Sequence, residues 1–293
     1  MDVLHDGLPG VISPYLLDAP EPTLVDPGPS ASLDTLRGEL EEVGVGVGDL
    51  RYILLTHIHL DHAGAVGHLV RENPGITVVV HEEGAGHLAD PERLVASTRR
   101  TFGEAHDRLW GEVLPVPPDR LKGWRPGDGR PLAGLRPHPT PGHIHHHLAW
   151  EVESSGVLLT GDSLGLVLHS LGPSHPATPP PAVHLEEWRD TLGKRLAVIE
   201  VDAFGPAHFG LHADLHGRRV ELLEALDALA ERVERAMEAG PEAEEADAEA
   251  FHQESIAAQA EFQPEGWSRS YFSTFPARMD WEGMRFHLAR RKS

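Results

Sequence analysis

The stretch His57-x-His59-x-Asp61-His62 puts three imidazoles and a carboxylate into six consecutive positions. Imidazole nitrogen and carboxylate oxygen together suit zinc and related divalent ions. One tetrahedral ion would not need all four groups. On a loop leaving a strand, His57 and His59 can face one ion, while Asp61 and His62, at the start of the next helix, can face a neighbour. Two close cations clamp a water molecule and lower its pKa toward neutrality, so hydroxide becomes available to attack a carbonyl or phosphoryl centre. The chain holds 21 histidines in 293 residues, so some clustering arises by chance and the rest of the sequence has to decide.

Three further pieces follow in order: "TPGHIHHH" with His143, "LLTGDSLG" with Asp162 and "GPAHFG" with His208. Each joins a turn-forming Gly or Pro to a ligand-type side chain, so backbone geometry can hold the ligand. Other histidines are open to two readings. His146 and His147 can support a ligand from behind, and His147 can also meet substrate. His81 ends a strand and can face the pocket, and His212 can meet substrate; each can equally be a packed or surface residue. His169 and His175 sit in the loop after Asp162. Trp267, Tyr271 and Phe272 can line an apolar acyl pocket if the C-terminal segment folds over the core, and otherwise simply pack.

Elements that could position these groups are visible in the patterning. Val11–Leu17 and Thr23–Gly28 are expected to form a hairpin interrupted at residues 18–22. A helix is expected from Ser32 to Val43, with Leu33, Leu36, Leu40 and Val43 at helical spacing. RYILLT (51–56) and ITVVVH (76–81) are buried strands, with helix between them up to Glu72. Residues 91–110 are expected to be helical. LAWEV (148–152) and GVLLTG (156–161) form a strand pair, a helix spans 184–196, and AVIEVDAF is a last strand. Alternating strands and helices argue for an α/β arrangement. After about His216 the chain changes character. Arg218–Gly240 is a long helix with Val220, Leu223, Leu226 and Val233 along one face, followed by a strongly acidic stretch and an aromatic tail. The expected organisation is a catalytic domain over 1–216 and a helical extension over 217–293 that acts as a lid, a dimer contact or plain packing.

Composition narrows the function. The net charge of −21, from 46 acidic and 25 basic residues, repels nucleic acid and anionic membranes. No apolar run approaches the ~20 residues that a membrane helix needs. The first residues lack a basic start followed by an apolar core, so no export signal is expected and the location is expected to be cytoplasmic. With no cysteine, thiolate ligands, disulfides and a cysteine nucleophile are excluded. The expected partner is a small-molecule substrate, with no nucleic acid, no membrane and a homodimer as an option.

With these motifs in hand, the sequence resembles the metallo-β-lactamase-fold hydrolases over roughly residues 8 to 212, on the glyoxalase II/lactonase-like side. "YLLDAPEPTLVDPG" is similar to the family's entry hairpin, with the Asp-x-Gly turn at Asp26. The resemblance implies that His57, His59 and His143 bind a first ion. Asp61, His62 and His208 bind a second, and Asp162 bridges the two. It implies a four-layer αβ/βα sandwich carrying the C-terminal extension. It also implies two divalent ions, zinc foremost, with iron or manganese as alternatives. The implied reaction is attack of a metal-bridging hydroxide on an ester, thioester or lactone carbonyl, with Asp61 taking or handing on a proton. Phosphodiester or phosphotriester cleavage on the same site, and iron-dependent sulfur dioxygenase chemistry, are the alternatives. His59 stands where flavin-linked di-iron members have Glu. Ser163, Leu164 and Gly165 stand near where lactonases have Tyr. "SLGLVLHSLG" does not resemble the glyoxalase II substrate-binding stretch. The family's branch is therefore better defined than its substrate.

Overall fold

The computed structural model describes residues 1–18 and 21–291; the interrupted end of the expected hairpin lies partly outside them. The chain forms two compact units, Met1–Pro139 with Leu148–Gly161, and Thr140–His147 with the chain from Asp162 onward.

The first unit runs β1 (Tyr15–Leu17), β2 (Thr23–Val25), α1 (Leu33–Glu42), β3 (Tyr52–Leu54), α2 (Leu60–Ala63), α3 (Val66–Glu72), β4 (Thr77–His81), α4 (Glu82–Ala89), α5 (Glu92–Phe102), α6 (His106–Trp110), β5 (Leu121–Trp124), β6 (Leu135–Pro139), β7 (Leu148–Val152) and β8 (Val157–Gly161). One sheet has the order β1-β2-β3-β4-β5. β1 and β2 pair antiparallel, as a hairpin must, and β2 to β5 pair parallel through helical crossovers. In the second sheet β6, β7 and β8 are antiparallel neighbours.

Alternation along the strands explains why both faces of the parallel strands are apolar. Val25, Leu54 and Val79 stand in register and join Trp124, Leu135, Leu148, Trp150 and Leu159 in one buried cluster between the sheets. Their neighbours Leu24, Ile53 and Val78 point the other way and are also fully buried. The sheets are tied where β3 ends: Trp150 Nε1 donates to Leu55 O at 3.0 Å and Leu148 N to Thr56 O at 2.8 Å. This is the segment that leads into His57.

The second unit contains α7 (Leu185–Asp190) with a π-helical turn after it, β9 (Ala203–Pro206), α8 (Leu215–Ala239), α9 (Pro241–Ala260), α10 (Trp267–Thr274) and α11 (Ala277–Arg291). The last strand is shorter and later than expected, because Leu196–Val198 is a tight helical turn. On α8 the buried face carries Leu215, Leu222, Leu226, Leu229 and Val233, while Val220 is exposed and Leu223 half-buried. The expected stripe is thus rotated by about one residue. The acidic stretch is helical because arginines on its neighbours meet it. Arg232 of α8 binds Asp247 at 2.9 Å, Arg278 of α11 binds Glu245 at 2.5 Å, and Arg285 binds Glu244.

The boundary expected at 216/217 falls inside this second unit. Polar contacts bind the later helices to the loop after Asp162. Arg218 Nη1 donates to Gly172 O at 2.6 Å, Gln259 Nε2 to Pro173 O at 2.9 Å and Gln263 Nε2 to Leu168 O at 2.8 Å. No helix among the described residues is long and apolar enough to cross a membrane.

Candidate metal centre

In the first unit the donors sit where β3 ends and α2 begins. β3 is a rigid, fully paired strand, so the residues after it leave from a fixed point. His57 Nε2 and His59 Nδ1 stand 2.9 Å apart. His62 Nε2 lies 3.4 Å from Asp61 Oδ2. Two ligands of one tetrahedral ion at the usual metal–nitrogen lengths are about 3.3 Å apart, so the His62–Asp61 pair has that spacing and the His57–His59 pair is at hydrogen-bond distance. His57 and His62 are fully buried, and the Asp61 side chain is 22% exposed. Asp61 and the partly exposed His59 thus combine a donor-type side chain with access to solvent.

Asp26 organises this cluster from behind. It follows β2 with a positive φ of 47°, a conformation Asp tolerates better than most residues. Its Oδ1 accepts Thr56 N–H at 2.8 Å, and its Oδ2 accepts the Thr56 hydroxyl at 2.7 Å and His62 Nδ1–H at 2.9 Å. Because the Thr56 hydroxyl donates to the carboxylate, it can only accept from His57 Nδ1, 3.1 Å away. One buried carboxylate therefore places the proton on Nδ1 of both His57 and His62 and turns both Nε2 lone pairs outward.

The second unit supplies His143, Asp162 and His208. His143 Nε2 is 3.4 Å from Asp162 Oδ2, and His208 Nε2 is 3.6 Å from Asp162 Oδ1. Each carboxylate oxygen thus has a different imidazole beside it. His143 Nδ1 donates to Ala177 O at 2.7 Å, which again leaves Nε2 as the donor to a metal. Trp188 packs edge-on to His143 with ring centroids 5.8 Å apart, and its Nε1 donates to Ser163 O at 2.8 Å. A single indole thus locates the turn before His143 and the residue after Asp162. Gly142 is required here: its φ is +148°, and a Cβ would fall 2.3 Å from Trp188 Cβ. Gly142→Ala is expected to lower stability by about 2–3 kcal/mol and to weaken metal binding, read by thermal melting and metal content.

His147 resolves between its two expected roles. Its Nδ1 lies 2.8 Å from Thr140 Oγ1, and its Nε2 accepts Asp162 N–H at 3.1 Å. It is almost fully buried, and these bonds brace Asp162. His81 caps α4, its Nδ1 accepting Glu83 N–H at 3.3 Å. His212 stacks on Phe204 and donates through Nε2 to Phe209 O at 2.7 Å; burial is the main cause that pushes its pKa below the ordinary value. His146 is buried, His169 stacks on Phe262, and His175 binds Asp280. Trp267 and Tyr271 are buried on α10 and stack on each other at 5.1 Å. The supporting roles of Asp26, Thr56, Thr140, Trp188 and Ala177 were not foreseen from sequence. The available signal was local: Thr56 and Thr140 stand beside ligand motifs, and Asp26 closes the strand next to β3.

The described residues include seven donors of the imidazole and carboxylate type suited to two divalent ions. Comparison with known proteins agrees. A "probable metallo-hydrolase" of Methanocaldococcus jannaschii is 29% identical over 51% of this chain and 66% of its own length. An atrochrysone carboxyl ACP thioesterase of Aspergillus fumigatus is 28% identical over 40% of this chain and 20% of its own. The chain therefore spans less than two thirds of the length of these curated relatives. A solved metallo-beta-lactamase family protein of Thermus thermophilus is similar over 96% of this chain and 89% of its own, with a TM-score of 0.62 and 26% identity. Residues 8–208 match the family described as the metallo-beta-lactamase superfamily, and to that superfamily the chain belongs.

Proposed function

We propose that this protein is a hydrolase with two metal ions that cleaves an ester, thioester or lactone. The observation that carries the reading is Asp162, whose two oxygens each face a different histidine, His143 and His208. In this proposal His57, His59 and His143 hold one ion, and Asp61, His62, Asp162 and His208 hold the other, with Asp162 reaching both. The donor chemistry fits: every group is imidazole or carboxylate, and three of the imidazoles have their protons held on Nδ1 by an acceptor behind them. Zinc suits that set best, and iron and manganese also accept it.

When bound, two such ions supply a hydroxide at neutral pH and polarise the substrate oxygen. The chain's own residues do the rest. Asp26 and Ala177 O keep His57, His62 and His143 in the tautomer that can ligate. His147 fixes the backbone of Asp162. Asp61, a carboxylate donor partly open to solvent, would accept the proton from the attacking water and return it to the leaving group. No serine or cysteine nucleophile is needed. A carbonyl substrate is favoured over a phosphoryl one by the thioesterase among the relatives.

The test is hydrolysis by metal-loaded protein of a lactone, a thioester, an aryl ester and a phosphodiester, before and after chelation. Carbonyl cleavage that stops on chelation is the expected result. Preference for the phosphodiester would overturn the substrate class, and silence on all four with dioxygen uptake in the iron form would overturn the hydrolase.

A further inference from the structure

We infer that Asp280, on α11, is a positioning residue for His143, acting through one peptide group. The inference rests on the donor set proposed above and assigns the C-terminal helices a part in metal binding.

His143 Nδ1 donates to Ala177 O at 2.7 Å. The other end of the same peptide unit is Thr178 N–H, which donates to Asp280 Oδ1 at 2.7 Å. The peptide is planar and trans, so its C=O and N–H point in opposite directions along one dipole. A carboxylate at the N–H end draws the dipole toward itself and makes the carbonyl a stronger acceptor. The order is carboxylate, peptide, imidazole: a carboxylate–histidine support with one amide inserted.

Asp280 also fixes the direction of that peptide. Its Oδ2 lies 2.9 Å from His175 Nε2, and its main-chain oxygen accepts the Thr178 hydroxyl at 2.7 Å. The turn from His175 to Thr178 is thus gripped at both ends by one residue. Gly283, three positions on, brings α11 directly against this turn: a Cβ there would lie 1.7 Å from Thr178 O. Thr178 is fully buried and the Asp280 side chain is 14% exposed, so water competes little for these bonds. The contacts join α11 to the loop that carries the acceptor of a metal ligand, although the helix itself contributes no ligand.

Two variants test this, each loaded with Zn²⁺ against a chelating dye and with Co²⁺ for its visible spectrum. Asp280→Ala is expected to weaken the His143 site by about 10–100-fold, and the isosteric Asp280→Asn by less, with the other site unchanged. The Co²⁺ bands should shift in both. Melting of the metal-free proteins monitors folding. A lower melting temperature with wild-type Zn²⁺ affinity and an unaltered Co²⁺ spectrum would make Asp280 merely structural and overturn the inference. His143→Ala separates the two claims. It is expected to lose one ion, and adding Asp280→Ala to it should cost no further affinity. An added loss would show that Asp280 acts by another route. Two ions at wild-type affinity in His143→Ala would overturn the donor set itself.

Discussion

Asp162→Ala is expected to lose at least one of two ions per chain and to lower kcat/KM by at least about 1,000-fold. Loss of an outer support costs about 10–100-fold in metal affinity or activity, and in the proposed centre Asp162 is itself a donor, beside two of the proposed ligand imidazoles. Its carboxylate is 3.4 Å from His143 Nε2 and 3.6 Å from His208 Nε2, so its removal takes one oxygen from beside each. The fold should survive. The backbone of Asp162 is held by His147 Nε2 and its neighbour by Trp188, and neither bond uses the side chain removed. Metal content, melting and steady-state kinetics check the three parts. Full activity with two ions per chain would reject the bridging assignment. A large loss of melting temperature without metal would mean that the residue is needed for folding instead.

The proposed donor pattern stands out in the sequence because each expected donor sits at the end of a strand or in a Pro/Gly turn, and both leave strong local marks. His57 follows the apolar run of β3, Asp162 follows β8, and His208 follows β9. The parallel strands were legible for the same reason, being apolar on both faces. What was not legible lies in contacts between residues far apart in the chain. That Asp26 serves His57 and His62 depends on β2 and β3 lying side by side, which no local pattern states. The acidic stretch of α9 reads as solvated until Arg232, Arg278 and Arg285 are seen to meet it. The stripe on α8 was misplaced because Leu222 and Leu223 are adjacent, and only packing chooses between neighbouring leucines. A boundary near residue 216 followed a real change in composition. Compactness follows hydrogen bonds instead, and those of Arg218, Gln259 and Gln263 run back to the loop after Asp162.

Asp26→Ala is expected to have the largest effect on stability of any change outside the donors, about 2–4 kcal/mol. The carboxylate accepts three hydrogen bonds at 2.7–2.9 Å, from Thr56 N–H, the Thr56 hydroxyl and His62 Nδ1–H, in a site 3% exposed. A buried donor left without its partner costs about 1–3 kcal/mol. The Thr56 hydroxyl can rotate toward His57 Nδ1, which leaves the amide and His62 as the main losses. Alanine also tolerates the φ of 47° less well than aspartate does. Metal binding should fall in parallel by about 10–100-fold, because His62 loses the acceptor of its Nδ1 proton and the Thr56 hydroxyl, freed from Asp26, can turn to donate to His57 Nδ1 instead of accepting from it. Asp26→Asn separates the two effects. Asparagine accepts the left-handed turn and can still receive Thr56 N–H, so most of the stability should return. With Oδ1 kept on Thr56 N–H, the amide nitrogen takes the place of Oδ2 and cannot accept from His62, so the metal affinity should stay low. Denaturant titration and Zn²⁺ competition measure the two quantities on the same samples. If Asp26→Asn recovers both together, Asp26 merely shapes the turn, and the tautomers of His57 and His62 are set elsewhere.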